Sequence, residues 1–195
     1  MDPINLLVAI NLFVTISANW GGAKKGLKTS ITKVIERPST FLQKVPPNIA
    51  ALVLILIIAG IFKLGTFDEN TFAGLKTLRF AGLGMFVLFS WLQVWAYKSL
   101  GNFYAQDIVI MKDHKLVTGG IYRFVRHPQY VSQFLSDLGA GFALLGFIIV
   151  PVILLVELPL FIMRASFEEK LLQKHFKDDF TNYKKKSGFI IPFIG

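Results

Sequence analysis

Four stretches of this chain run 15 to 19 residues without a charge: Ile4 to Trp20, Asn48 to Phe62, Phe80 to Tyr97 and Leu138 to Val156. A hydrocarbon core about 30 Å thick asks for about 20 apolar residues at about 1.5 Å of helix each, so every run crosses or nearly crosses a bilayer. Four such runs in 195 residues, with 53% of the chain hydrophobic and 17% charged, exclude an ordinary soluble domain. The fold class this implies is an all-α, polytopic membrane protein.

A fifth crossing is hidden in the last run. From Tyr130 to Met163 the charges are Asp137 and Glu157 alone, and as one helix these 34 residues would extend about 51 Å, more than a bilayer needs. Gly139, Gly141, Gly146 and Pro151 lie inside the stretch. They divide it into two short helices, about Tyr130 to Leu145 and Pro151 to Met163, with Pro151 near the start of the second. The second continues as a helix through Arg164 to His175, a segment without Gly or Pro.

Charge placement tests this division. Gly21 to Pro47 carries 6 Lys/Arg, Lys98 to Pro128 carries 5 and the tail from Arg164 carries 7, which is 18 of the 21; Lys63, Lys76 and Arg79 flank the second connection. Basic residues collect in cytoplasmic loops, and only an even number of crossings between Pro128 and Arg164 puts all three rich segments on one side. The reading is five transmembrane helices with the N-terminus outside and the C-terminus cytoplasmic, the last two a short hairpin that continues into a cytoplasmic helix. Residues 1–111 form a membrane scaffold of three helices and 112–195 the core that carries chemistry, as one integrated domain. Ile4 to Trp20 lacks the basic flank of a signal peptide and has Asp2 before it. The net charge of +9 then reports topology rather than nucleic acid. With no cysteine, disulfides, thiolate metal sites and a thiol nucleophile are excluded.

Glycines pair as Gly82/Gly84 and Gly139/Gly141 inside apolar runs, where close helix packing is the expected role. No G-x-G-x-x-G follows a strand-like segment, which argues against a Rossmann-type cofactor site. The three histidines, His114, His127 and His175, do not form H-x-x-x-H or H-E-x-x-H, so no metal site is expected. A Ser/His/Asp arrangement stays open by spacing, without a G-x-S-x-G elbow to support it. Gln133 and Asp137, four apart, serve either helix packing or a ligand.

Polar residues concentrate in two places. The first is Asp113-His114-Lys115-Leu116-Val117-Thr118-Gly119-Gly120-Ile121-Tyr122 with Arg126-His127-Pro128-Gln129-Tyr130. Pro128 suits the first turn of a helix, which leaves His127 at the entrance and free N–H groups nearby, a place for a ligand's polar rim or simply an interfacial collar. The second is Glu157, Arg164, Glu168 and Glu169. At 100° per residue the first three share one stripe within about 40°, while Glu169 projects about 100° to its side. A stripe of both signs that starts in an apolar span points to a wet cavity, with an interfacial ion pair as the plainer account.

These motifs closely resemble the isoprenylcysteine carboxyl methyltransferase family. The resemblance rests on His114 to Tyr122, Arg126-His127-Pro128-Gln129-Tyr130, Arg164-x-x-x-Glu168-Glu169-x-x-Leu172 and the ending Tyr183 to Ile194 with Ile191-Pro192-Phe193, and covers Lys112 to Gly195. It implies S-adenosylmethionine as cofactor, held by His114, Leu116, Val117, Gly120, Tyr122, His127, Pro128, Tyr130 and Glu169, with Glu169 toward the cofactor's amino end. It implies Arg164 and Glu168 as catalytic residues facing the transferred methyl, and a lipid-like or prenylated carboxylate as acceptor among the membrane lipids; neither a metal nor nucleic acid is expected, on the histidine spacing and the composition given above. Five spans resemble a minimal prokaryotic form. A carboxylate is ionised at neutral pH and needs no general base, so positioning is the main task, with Arg164 gripping it and Glu168 orienting Arg164. A phospholipid N-methyltransferase ranks second, because an amine must lose a proton and gains less from Arg164. A membrane NADPH-dependent sterol-type reductase with an R-H-P-x-Y-like element, and a non-enzymatic membrane subunit or small transporter, are the remaining alternatives. Pro159, which cannot donate a backbone hydrogen bond, marks the fifth span as the place for a lateral opening, with Gly141 and Ala165 beside it.

Overall fold

The computed structural model describes the backbone of residues 2–32, 34–112 and 114–194 and all their side chains except those of 22, 23, 25–32 and 102. Asp113 and Gly195, quoted above, lie outside the described residues. Six helices dominate: α1 (Pro3–Thr32), α2 (Val45–Ile61), α3 (Leu75–Leu100), α4 (Pro128–Ala143), α5 (Ile149–Val152) and α6 (Leu158–Lys184). Two short strands, β1 (Val34–Glu36) and β2 (Ile110–Met111), pair antiparallel with Val34 opposite Met111 and Glu36 opposite Ile110.

Among the described residues, four helical segments are long and apolar enough to cross a membrane: Pro3–Gly21, Phe41–Ile61, Leu75–Leu100 and Ile149–Lys184. Most of their large side chains face outward, as in Phe13, Ile55, Leu88 and Leu155, where lipid rather than protein covers them. The chain is an integral, multi-pass membrane protein. At 16 residues α4 is shorter than these four.

The α3–α4 contact shows how glycine spacing becomes packing. A methyl group at Gly82 would stand 2.5 Å from the Ala143 nitrogen, and one at Gly139 would stand 2.5 Å from the Phe86 nitrogen. With Ser132, Ser136, Ala140 and Ala143 buried on the same helix, small residues bring the two backbones together where apolar burial alone offers little advantage over lipid. Gly141 packs against Val150 and Ile149 of the following helix. Gly84 departs from the expectation: nothing lies within 4 Å of its added methyl, because two residues on a helix are about 200° apart and Gly84 faces away from the contact made by Gly82.

α4 turns back at Leu144–Ile148, with Leu145 at φ 55, into α5. Contacts of Gly141 with Ile149, of Asp137 with Glu157 and of Tyr130 with Phe161 and Arg164 show the two segments running antiparallel. Between α5 and α6 the helix loosens into a π turn, Ile153–Glu157, in which the Leu158 N–H donates to the Ile153 carbonyl five residues back. Pro159 sits in the first turn of α6, where its missing N–H and its ring disfavour the ordinary ladder to residue 155. Ala165, expected beside a lateral opening, is wholly buried, and Gly141 is sealed by Val150.

The apolar core lies toward the α1 N-terminus and the α4 turn: Ile4, Val8, Val53, Ile57, Phe86, Ala140, Leu144 and Ile149. Beside it, the Arg79 guanidinium donates to the Ala143 carbonyl at 3.0 Å, to both Asp2 oxygens, to Glu69 at 2.6 Å and to Asn5 at 2.9 Å. That end of the bundle is pinned. The opposite end is open.

Candidate functional site

The open end is floored by two straps that the helices alone do not predict. The first runs from β1 through a 3-10 turn, Phe41–Gln43, into α2; Thr40 caps that turn by accepting from the Leu42 N–H. The second runs from the end of α3 through residues 104–109 to β2. Gln43 joins them: its Nε2 donates to the Ile108 carbonyl at 2.8 Å, and its Oε1 accepts from the Ile108 N–H at 2.9 Å.

α4 and α6 supply the walls. Pro128 starts α4 in the first turn, as its fixed φ and missing N–H favour, and this leaves His127 at the boundary and Tyr130 one turn in. On α6, Arg164 and Glu168 lie one turn apart on the face toward α4. The Tyr130 hydroxyl accepts from Arg164 Nε at 2.8 Å and donates to Glu168 Oε1. Arg164 Nη1 donates to the Leu42 carbonyl at 3.0 Å and Nη2 to the Gln106 carbonyl at 2.5 Å, so one guanidinium ties α6 to both straps. Three of its five N–H groups are thereby engaged, which leaves one on each terminal nitrogen without a partner among the described residues.

Beneath these, Glu169 meets Arg126 Nε at 2.5 Å and Lys184 Nζ at 3.0 Å, with His127 Nε2 at 3.3 Å. Arg126 also donates to the Ser187 and Lys184 carbonyls, and its N–H to the Gly188 carbonyl at 2.8 Å. Phe189 meets the His127 ring edge-on at 5.2 Å. The C-terminal tail thus folds beneath the His127-Pro128 corner and fixes it.

A cavity of about 380 Å³ opens among these parts, within the range of small-molecule sites. Of the residues expected from the sequence, His114, Tyr122, His127, Tyr130, Arg164 and Glu168 line it together. Leu116 and Val117 sit in the connection before the 3-10 turn Gly120–Arg123, Gly120 opens that turn at φ 61, and none of the three lines the cavity; Pro128 is buried at the start of α4, and Glu169 is held by Arg126 and Lys184 behind the wall. Sequence reasoning missed the lining contributed by residues 1–111, Pro46, Tyr97, Tyr104 and Gln106 among them. Gln106 acts through a backbone carbonyl, which any residue offers, and so left no signal. Glu157 shares the stripe of Arg164 but stands two turns away, facing Asp137.

Several lining groups are buried without a hydrogen-bond partner among the described residues: His114 Nδ1, Tyr122 Oη and Gln129 Nε2. Such groups are costly unless a ligand or water completes them. Burial, with a smaller contribution from nearby His175, pulls His114 down to about 4, so the imidazole is neutral at physiological pH; it stacks on Phe103 with centroids 5.8 Å apart. Burial pushes the Tyr122 phenol well above its ordinary value, which keeps it a donor. Neutral polar groups between aromatic rings suit a heteroaromatic ligand with its own donors and acceptors. No group of three His, Asp or Glu with metal-holding geometry occurs among the described residues.

A sequence model described as phospholipid methyltransferase matches residues 77–179, just over half of the chain. The protein-S-isoprenylcysteine O-methyltransferase of Schizosaccharomyces pombe is 35% identical over 116 residues, 58% of this chain and 49% of that protein. Its counterpart in Tribolium castaneum is 31% identical over 128 residues, 63% of this chain and 46% of that protein. The chain spans about half the length of these curated relatives. A solved structure of the eukaryotic intramembrane Ras methyltransferase, an isoprenylcysteine carboxyl methyltransferase, aligns with 100% of this chain and 69% of its own at a TM-score of 0.66 and 23% identity, which is a likeness of fold.

Proposed function

The chain belongs to the phospholipid methyltransferase family, and on that premise we propose that it transfers a methyl group from S-adenosylmethionine to the carboxylate of a lipid-like or prenylated acceptor. The observation that carries the reading is Arg164: a buried guanidinium in the cavity wall with one N–H on each terminal nitrogen unpaired among the described residues, in the same cavity as the polar groups of His114, Tyr122 and Gln129. Two parallel N–H groups match the two oxygens of a carboxylate. An amine acceptor would be repelled by the same cation, which ranks phospholipid amine methylation second.

The unpartnered His114, Tyr122 and Gln129 fit the cofactor's polar edges, with His127 and Tyr130 beside them. Bound there, the cofactor supplies an electrophilic sulfonium methyl. The chain's own part is to place the nucleophile. Tyr130 and Glu168 lock Arg164 along its Nε edge, Leu42 and Gln106 lock its other nitrogens, and the remaining fork orients a carboxylate that is already ionised. No proton has to be removed. The straps keep bulk water from the ion pair that reaction neutralises, which favours the transition state. Leu116, Val117, Gly120, Pro128 and Glu169 serve the same cofactor site from behind the lining, Glu169 by holding Arg126 and the tail.

The distribution of 18 of 21 basic residues supports five crossings with the N-terminus outside and the C-terminus cytoplasmic, α4 being the short fourth span. The relatives named above act on isoprenylcysteine by their names, and a prenylated carboxylate is accordingly the acceptor we propose. The test is calorimetry of the purified full chain with S-adenosylhomocysteine, followed by transfer of labelled methyl to an S-farnesylcysteine. We expect saturable binding and base-labile methyl ester. Protection against heating by NADPH and not by S-adenosylhomocysteine would move the protein to reduction; label on an aminophospholipid and none on the carboxylate would install the second reading.

A further inference from the structure

Past the apolar part of its length α6 does not run on straight. Lys177 interrupts it at φ 45, ψ -113, and Lys184 Nζ meets Glu169 at 3.0 Å, where an unbroken helix would hold the two about 22 Å apart. The Tyr183 hydroxyl then donates to the Tyr122 carbonyl at 2.6 Å, and the Arg126 N–H to the Gly188 carbonyl at 2.8 Å. The tail is thereby returned to the residues that enter α4.

From there it closes a tight turn. The Phe189 N–H donates to the Ile194 carbonyl at 2.8 Å, the Ile194 N–H to the Ile191 carbonyl at 3.1 Å and the Phe193 N–H to the Phe124 carbonyl at 3.4 Å. Only glycine suits position 188, since a methyl group there would stand 1.8 Å from the Ile191 oxygen. Phe193 adopts φ 62, a left-handed conformation that an aromatic residue avoids, and the turn holds its ring edge-on to Phe124 at 5.9 Å. Phe124, Ile191, Phe193 and Ile194 are 43, 57, 68 and 63% exposed, and Pro192 is exposed between them. A strained turn that holds four large apolar side chains outward is not built to face water.

Depth and charge say what it faces. α4 has 16 residues, about 24 Å of helix, against a hydrocarbon core about 30 Å thick. Its far end is tied to the connection after α2, with the Phe67 N–H on the Leu145 carbonyl at 2.9 Å and the Phe147 N–H on the Gly65 carbonyl at 3.1 Å. The start of α4 at Pro128 therefore cannot stand clear of the bilayer, and Phe124 and the turn bound to it lie at the level of the headgroups. No Asp or Glu occurs in residues 114–128 or 180–194, whereas Arg123, Lys185 and Lys186 are exposed. An apolar tip with a basic rim is complementary to an anionic leaflet.

We propose that residues 189–194 and Phe124 form a membrane anchor: their apolar side chains enter the leaflet beside the start of α4, and Arg123, Lys185 and Lys186 bind anionic headgroups around them. The anchor rests on α4 as a membrane span and is independent of the methyl-transfer reading. Because Phe189 of the same turn packs on His127, the leaflet holds the piece of chain that fixes the His127-Pro128 corner.

The experiment places one indole in the turn, Phe193→Trp in a Trp20→Phe, Trp91→Phe, Trp95→Phe background, with Ile191→Trp in the same background as a second position. The full chain is reconstituted into vesicles of phosphatidylcholine, alone or mixed with phosphatidylglycerol, with and without bromine on the acyl chains. A cooperative thermal transition checks folding in each case. Bromine occupies both leaflets, so the orientation of the chain does not affect the readout. In anionic vesicles, bromine near the headgroup end of the acyl chain quenches the indole more than bromine near its tip, because such an anchor reaches only about 5–10 Å inward. Quenching is weaker in phosphatidylcholine alone, and Arg123→Gln, Lys185→Gln and Lys186→Gln together abolish the excess. An indole that bromine quenches in neither lipid, at both positions, overturns the anchor: red emission then means water around the turn, and blue emission a second copy of the chain over it. Equal quenching in neutral and anionic vesicles, or an excess that survives the three glutamine substitutions, overturns the headgroup recognition.

Discussion

Two arginines, Arg79 and Arg164, are each 5% exposed, one at each end of the same bundle, and their hydrogen bonds differ in kind. Arg79 has five N–H groups and five acceptors, all from its own chain: Ala143, Asp2 twice, Glu69 and Asn5. Arg164 gives three N–H groups to Leu42, Gln106 and Tyr130 and turns the other two into a cavity. Burying a cation is costly unless its shell is complete. Arg79 is complete in the folded chain and acts as a pin. Arg164 is completed by what binds, and the protein holds it in that unfinished state with backbone carbonyls that cannot move away.

The difference is broken most directly by removing each cation in turn. Arg79→Ala leaves Asp2, Glu69, Asn5 and the Ala143 carbonyl without their shared donor, and unfolding in detergent should become easier by about 3 kcal/mol. S-adenosylhomocysteine affinity of the folded fraction should not move. Arg164→Lys acts on the other quantity: an ammonium cannot span Leu42 and Gln106 and still present a planar fork, so turnover with saturating acceptor should fall about 100-fold. Cofactor affinity should change by less than about threefold. Equal thermal losses from the two substitutions, with normal turnover for Arg164→Lys, would make both arginines structural. Tyr130→Phe sharpens the comparison on a smaller scale, since the ring stays in the cavity while the link between Arg164 and Glu168 goes. About tenfold in turnover, with S-adenosylhomocysteine binding retained, is the expected result.

The two ends also differ in how far the sequence discloses them. Charge exclusion marks α2, α3 and the spanning part of α1, Pro3–Gly21, within about five residues, because a bilayer penalises a misplaced charge more heavily than most packing errors; it misses the continuation of α1 to Thr32, where lysines are no longer penalised. The i,i+4 spacing of Arg164 and Glu168 marks a face of α6 without naming its partners. Tyr130 is marked in the sequence by the Arg126-His127-Pro128-Gln129-Tyr130 motif as a cofactor-site residue, and its hydroxyl's place between Arg164 and Glu168 is what the motif does not disclose. Leu42 and Gln106 are illegible, since they contribute carbonyl oxygens and their side chains carry no trace of it. Arg79 is the clearest loss. Its charge fits the loop count, and its partner Asp2 lies 77 positions away, a pairing that only the folded α1–α3 contact creates. Glycines show the same limit: Gly82 and Gly84 are equivalent by composition, and the direction each faces separates a close contact from open space.

The smallest expected effect belongs to the pinned end and depends on pH. The hydrogen bonds from Arg79 hold the Asp2 carboxyl down at about 2, against 3.8 for the ordinary group, with the Asn5 and Ile4 N–H groups adding to the shift. The folded state therefore binds the Asp2 proton less readily than the unfolded chain does. Where the unfolded chain carries more protons, stability rises with pH, so this contribution is complete above about pH 4 and is lost as pH falls toward about 2. The loss is partial, because a protonated Asp2 still caps the first turn of α1 through its hydrogen bonds to Ile4 and Asn5 at 2.9 and 3.1 Å. Thermal midpoints measured from pH 5 to pH 2 should fall more steeply for the natural chain than for Asp2→Asn, which keeps an acceptor oxygen and has no charge to lose. Parallel slopes would mean that Arg79 draws its stabilisation from Ala143, Asn5 and Glu69, and the pin would then be a set of hydrogen bonds with no titrating member at Asp2.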